Sequence, residues 1–337
     1  MSTQHQDHLD RLSSQYLDLA AQRLGGAVLY ATDDFFAEKE NLIKPGRGIF
    51  IPDKYTDRGK WMDGWESRRR RDTGHDWAVV RLATQGRIRG FDIDTNHFLG
   101  NHPPFASIDA IHLRANEQIT EWDKLPWREI LPRSPLAPGS QNPYLCADEG
   151  IYNHVRLHIY PDGGVARLRV YGEVSVDWKA LPEDREVDLA AAIHGARALG
   201  CSDMFFSKMS NLLMPGRGIN MGDGWETRRS RDKGHTDWVI IRLATAGQIN
   251  RIVLDTAHFK GNYPDRCIVE ACFSEDDAAV LNGDVAWHAL TSEVKLEPDT
   301  EHEISCPGDQ VVTHARLTII PDGGVSRLRL FGKPARS

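Results

Sequence analysis

The sequence predicts an all-β protein made of two tandem β-sandwich or jelly-roll domains. Three observations predict it. Apolar residues recur with a period of two in short runs, the signature of half-buried strands. Gly, Pro and Asn turns separate those runs, and no long helical pattern lies between them. Finally, the chain is written twice, which points to duplication of a whole domain and not to a solenoid of short units.

The duplication is read segment by segment. The stretch His154-Val-Arg-Leu-His-Ile-Tyr-Pro-Asp-Gly-Gly-Val-Ala-Arg-Leu-Arg-Val-Tyr-Gly172 returns 160 residues later, from His314 to Gly332, with 13 of 19 positions identical. Asp63-Gly-Trp-Glu-Ser-Arg-Arg-Arg-Arg-Asp72 returns as Asp223-Gly-Trp-Glu-Thr-Arg-Arg-Ser-Arg-Asp232. Asp94-Thr-Asn-His-Phe98 returns as Asp255-Thr-Ala-His-Phe259, and Pro45-Gly-Arg-Gly48 as Pro215-Gly-Arg-Gly218. The first copy holds ten extra residues between Gly48 and Asp63. The expected organisation is an extension over 1–26, repeat 1 over 27–172, a linker over 173–194, repeat 2 over 195–332 and a tail over 333–337.

Each element has a local reason. Leu9, Leu12, Tyr16 and Leu19 recur at three- and four-residue spacing, which predicts an amphipathic helix within 6–24. Alternation predicts strands over 77–82, 88–93, 108–113, 155–160 and 166–171, and over 238–243, 249–254 and 268–273 in the second copy. Asp162-Gly163 and Asp322-Gly323 each fall between two strands, where glycine accepts the positive φ of a tight turn.

Composition excludes several classes. The 337 residues carry 41 Lys+Arg against 48 Asp+Glu, a net charge of −7, which argues against a general nucleic-acid binder. No apolar run reaches the length needed to span a bilayer, so no membrane association is expected. The N-terminus is polar, without the layout of a secretory signal. Cys146, Cys201, Cys267, Cys272 and Cys306 form neither zinc-type spacing nor matched pairs, so a reducing cytoplasm is the expected location.

The polar clusters supply candidate chemistry. Asp63-Gly-Trp-Glu66 and its arginines, with their repeat in the second copy, offer guanidinium forks for a carboxylate beside an acidic group. Arg68, Arg69, Arg228 and Arg229 are the clamp candidates, joined by Arg47 and Arg217 on Gly-rich turns. Asp94 with His97, and Asp255 with His258, are candidates for proton transfer or for a divalent metal such as manganese or zinc. Glu66 and Glu226 are further acid/base candidates, and Asn101 and Asn262 suit recognition of amide groups. Arg167 and Arg169, with Arg327 and Arg329, read as a solvated outer sheet face. A serine elbow, a phosphate loop and a dinucleotide fingerprint are all missing.

Taken together, Asp-Gly-Trp-Glu-[Ser/Thr]-Arg-Arg, Asp-Thr-x-His-Phe and Pro-Asp-Gly-Gly-Val-x-Arg-Leu-Arg resemble the allantoicase family, as does the opening Ala31-Thr-Asp-Asp-Phe-Phe-Ala37. The resemblance runs from about residue 25 to 332 and implies two galactose-binding-like jelly rolls. It also implies hydrolysis of allantoate to (S)-ureidoglycolate and urea in ureide breakdown. That reaction is substitution at a carbon bearing two ureido groups and a carboxylate. It requires an anion clamp, amide-recognising groups, an acid and a base. A homo-oligomer is expected. The rival reading is a non-catalytic, ligand- or carbohydrate-binding double sandwich, since fold alone does not decide function. Both repeats keep the candidate residues, so the sequence leaves open whether each holds a site, only one does, or a site forms where the copies face each other.

Overall fold

The computed structural model describes residues 3–114, 119–182 and 184–335. The chain divides into two compact units, 1–175 and 176–337.

In repeat 1 the strand Asp76–Asp94 organises the fold. Its first half pairs with Ala27–Ala31 and with Ile151–Tyr160. Its second half pairs with Arg167–Val174 and Pro143–Leu145. Phe105–Ile111 extends the first group and carries Arg128–Pro135 beyond it. All these pairings are antiparallel. Alternation predicts two strands, over 77–82 and 88–93; one continuous strand passes through both layers instead, because residues 82–85 bridge the two pairings without leaving extended backbone. Val80 and Leu157 from the first group pack with Ile93, Leu168 and Phe91 from the second, all fully buried. Burying that much apolar surface between the layers is the main stabilising contribution.

Repeat 2 repeats the plan. Asp237–Asp255 pairs with Arg197–Cys201 and Val312–Ile320 in its first half, and with Arg327–Pro334 and Glu301–Ser305 in its second. Each repeat is a β-sandwich, and the protein is a duplicated one.

Both repeats begin before residues 27 and 195. Leu17–Asp18 pairs with Tyr171 and Gly172, inside the segment read as an extension. Val187–Asp188 pairs with Phe331 and Gly332, inside the segment read as a linker. A two-residue edge strand has no periodicity to read, yet Leu19 and Leu189 beside it are fully buried. The N-terminal helix is Thr3–Gln15, burying Leu9 and Leu12, and stops before Leu19.

Arg167 and Arg169 do not form a solvated face. Residues 44–48 pack across that side of the sheet, leaving Arg167 only 3% exposed. Arg167 Nη2 donates to Asp63 Oδ2 at 2.7 Å, and Arg169 Nη2 to the Lys44 and Gly46 carbonyls at 2.6 and 2.5 Å. Arg327 and Asp223 form the same pair in repeat 2.

The hairpin at 161–164 positions the next loop. Gly163 has φ +136°, and a Cβ there would lie 2.6 Å from the Asn101 carbonyl. The Gly164 amide donates to that carbonyl at 2.8 Å. Only a bare backbone lets the loop bearing Asn101 approach so closely.

Candidate functional site

Glu66 is fixed from below. Trp65–Glu66 pairs with Gly164–Val165, and Trp65 is fully buried with its indole N–H on the Asp33 carbonyl at 2.8 Å. The half-buried Glu66 carboxylate therefore faces the Asn101 loop, where Asn101 Nδ2 donates to Oε1 at 2.7 Å. Burial pushes the Glu66 carboxyl above the usual carboxylate range, and the Asn101 bond partly opposes this. Glu226 and Asn262 form the equivalent pair in repeat 2 at 2.5 Å.

Asp94 has a different role from the one its neighbour His97 suggests. Arg47 grips it in bidentate fashion, Nε to Oδ2 at 2.7 Å and Nη2 to Oδ1 at 2.9 Å. Its Oδ1 also accepts the Asn96 amide at 2.9 Å. Both oxygens of the buried carboxylate are occupied, and so is the fork assigned to a substrate clamp. Arg217 and Asp255 repeat the arrangement, with both bonds at 3.0 Å. Arg47, Asp94, Arg217 and Asp255 thus hold the loops that carry the site. Among the described residues no three His, Cys, Asp or Glu side chains form a group that could hold a metal ion.

His97 and His258 diverge. Both have positive φ, +68° and +72°. His258 Nε2 donates to the Gly218 carbonyl at 2.7 Å. In repeat 1 Asn96 Nδ2 makes that bond to Gly48, also at 2.7 Å, and His97 faces a cavity of about 500 Å³. Phe50, Lys60, Met62, Leu99 and Asn101 line the cavity with it. Three of these come from residues 49–62, the segment with ten extra residues. Repeat 2 has only Ile219, Asn220, Met221 and Gly222 there and so contributes no cation. Its Met221 Sδ lies 3.8 Å from the Asn262 amide. Lys60 is not among the sequence candidates, since a lysine in an unmatched loop carries no motif; the length difference between the repeats is the one signal that points to it.

The remaining arginines separate. Arg68 is committed to Asp33, with Nε to Oδ2 at 2.7 Å. Arg228 lies over the Phe205 ring at 4.3 Å. Arg229 Nη2 reaches the Gly261 carbonyl at 3.1 Å, which places this position against the loop before Asn262. Its counterpart Arg69 is exposed. The structure also joins His75, His158 and Asp109, with ring nitrogens 2.8 Å apart and His158 Nε2 at 2.9 Å from Asp109 Oδ2. Thr318 replaces His158 in repeat 2, so this chain of groups is confined to repeat 1.

Comparison with known proteins agrees with this architecture. The family model for the allantoicase repeat matches residues 17–175 and 187–335. A probable allantoicase of Burkholderia mallei is 48% identical over 326 residues, covering 94% of both chains. A probable allantoicase of Photobacterium profundum is 50% identical over 325 residues, 94% of this chain and 96% of that one. The crystal structure of allantoicase from Saccharomyces cerevisiae superposes with a TM-score of 0.82 at 37% identity, covering 98% of each chain. Two matched repeats in the right order, close relatives along nearly the full length and a shared fold lead to one conclusion: the chain belongs to the allantoicase family.

Proposed function

We propose that the chain hydrolyses allantoate to ureidoglycolate and urea, as an allantoicase does, and that the chemistry takes place in the repeat 1 cavity. The observation that carries the second part is the asymmetry around a shared Glu–Asn pair. Repeat 1 adds Lys60 and a His97 that lines the cavity against Phe50 to that pair, whereas repeat 2 has its histidine tied to backbone.

The reaction follows from what each group can do. Lys60, with the exposed Arg69, attracts the substrate carboxylate. Asn101 keeps its carbonyl oxygen for a ureido N–H while its amide holds Glu66. Burial raises the Glu66 pKa and so favours its protonated form, in which it can deliver a proton to the departing ureido nitrogen as the C–N bond breaks. The carbon left behind is iminium-like and takes up water. His97 accepts the proton that water releases as the new C–O bond forms. Urea leaves, the hydroxyl remains on the carbon, and the proton on His97 returns through solvent to Glu66. Of the four residues named as metal candidates, Asp94 and Asp255 are held by Arg47 and Arg217.

Placement in ureide breakdown, a cytoplasmic location and a homo-oligomeric state belong to the same proposal. Five cysteines that are free of disulfides support a reducing compartment. Phe205 and Phe206, ring against ring, are 59% and 61% exposed, apolar surface of the kind that subunit contacts cover. The test is urea release from allantoate by the purified protein. Urea with ureidoglycolate in equal amounts supports the assignment, and no release removes it.

A further inference from the structure

An arginine and a histidine face each other across the same two strands in both repeats: Arg81 opposite His154, and Arg242 opposite His314. In repeat 2 the pair closes on a carboxylate. Arg242 Nη1 bonds Asp277 Oδ1, His314 Nε2 lies 3.2 Å from the same oxygen, and Arg197 Nη2 lies 3.2 Å from Oδ2. Asp277 opens the short helix Asp277–Asn282, whose Val280 packs on Ile240 and Cys272. His314 is fully buried beneath it.

Repeat 1 has the same arginine and histidine without that carboxylate. The same place is a cavity of about 630 Å³ lined by Arg81, His112, Arg114, Trp122, Asn153 and His154 among others. Among the described residues no Asp or Glu lines it. Arg81 reaches the Gly25 carbonyl at 3.4 Å, and His154 Nδ1 is held by Asn153 Oδ1 at 2.8 Å, which leaves Nε2 toward the cavity. Four basic side chains converge here, in a chain of net charge −7. The cavity is separate from the one beside Glu66. His154 precedes Tyr160, which leads into the Asn101 hairpin, by six residues, roughly 20 Å of strand.

We infer that this cavity binds a small carboxylate from solution, gripped by Arg81 and His154 in the way Asp277 is gripped in repeat 2. The guanidinium supplies a two-pronged contact, His154 Nε2 a third, and Arg114 adds positive potential. Burial, with Arg81 and His112 nearby, holds the His154 pKa down at about 4. An arriving carboxylate reverses part of that effect, so His154 takes up a proton as the ligand binds.

Acetate is the probe, titrated calorimetrically into the full chain while the His154 ring resonances are followed. The expected result is one acetate per chain, a raised His154 pKa, and binding at least about tenfold weaker in Arg81→Gln. Asp277→Ala vacates the repeat 2 position, so two acetates bind per chain and acetate raises the Tm of this variant more than that of the wild type. Glu117 lies outside the described residues and supplies the control: Glu117→Gln binds acetate as the wild type does. Absence of saturable binding, equal affinity in Arg81→Gln, or binding that appears only in Glu117→Gln would overturn the inference, the last by assigning the cavity to the chain's own carboxylate.

Discussion

Asn96 in repeat 1 and His258 in repeat 2 make the same bond, each donating at 2.7 Å to the glycine carbonyl after the arginine of Pro-Gly-Arg-Gly. They are neighbouring, not equivalent, positions: Asn96 aligns with Ala257, and His97 with His258. Where asparagine makes the tie, the histidine is released to the cavity. Where alanine replaces it, the histidine makes the tie.

His97→Gln is therefore expected to lower kcat by about 10²- to 10³-fold, the range of a missing general base, with the fold intact. His258→Gln is expected to leave turnover within a few-fold and to cost about 1 kcal/mol of stability as the tie weakens. Urea release and chemical denaturation of both variants check this pair of outcomes.

Lys60→Met removes the cation that meets the substrate carboxylate, while its methylenes still cover Phe50, now 4.6 Å from the ammonium. Removing a charge-assisted hydrogen bond that holds the ground state and the transition state alike raises KM by about tenfold to hundredfold with kcat little changed. Steady-state kinetics on allantoate separate the two parameters, and a kcat loss with unchanged KM would place Lys60 in the chemistry instead.

Arg167→Ala strands the buried Asp63 carboxylate, which also holds the Ile49 amide at 2.9 Å. Breaking a buried pair from one side costs about 3–5 kcal/mol. Urea unfolding should show that loss, and activity should fall with it because Ile49 begins the loop that carries Phe50 and Lys60.

Asp92 gives a pH signature. Burial, reinforced by the neighbouring Asp94, raises its pKa to about 6, against the hydrogen bonds from Gln141 and Asn142. A folded pKa above the unfolded one contributes stability that is complete below about pH 4 and lost as pH rises through about 6. Asp92→Asn should thus match or trail the wild type at pH 4 and exceed it at pH 8 by about 2–3 kcal/mol. Melting curves at the two pH values decide it.

Much of the fold is legible in the sequence because it is carried by repetition. The Trp65, Gly163 and Phe98 positions recur in both copies, and the strands that bury Val80 and Leu157 alternate clearly. The short edge strand at Leu17 is not legible, since two residues hold no period. For the site, the Glu66–Asn101 pair is visible as two recurring motifs, although their hydrogen bond is not. The roles of Arg47 and Asp94 are hidden because an arginine that grips a substrate and one that grips a buried aspartate read alike. Lys60 is hidden for the opposite reason: it lies in the segment that does not recur. Likewise, Arg167 alternates like a surface residue, and only the chain crossing above it makes it buried.

The placement of chemistry in repeat 1 rests on Glu66 and Glu226 being geometrically alike yet differently equipped around them. The direct test is kcat for urea release by Glu66→Gln and Glu226→Gln, measured side by side. Glu66→Gln should lose at least about 10²-fold while its Tm at neutral pH rises, since an uncharged amide removes the burial penalty, and Glu226→Gln should stay near the wild type. Equal losses in both variants, or a loss confined to Glu226→Gln, would contradict it.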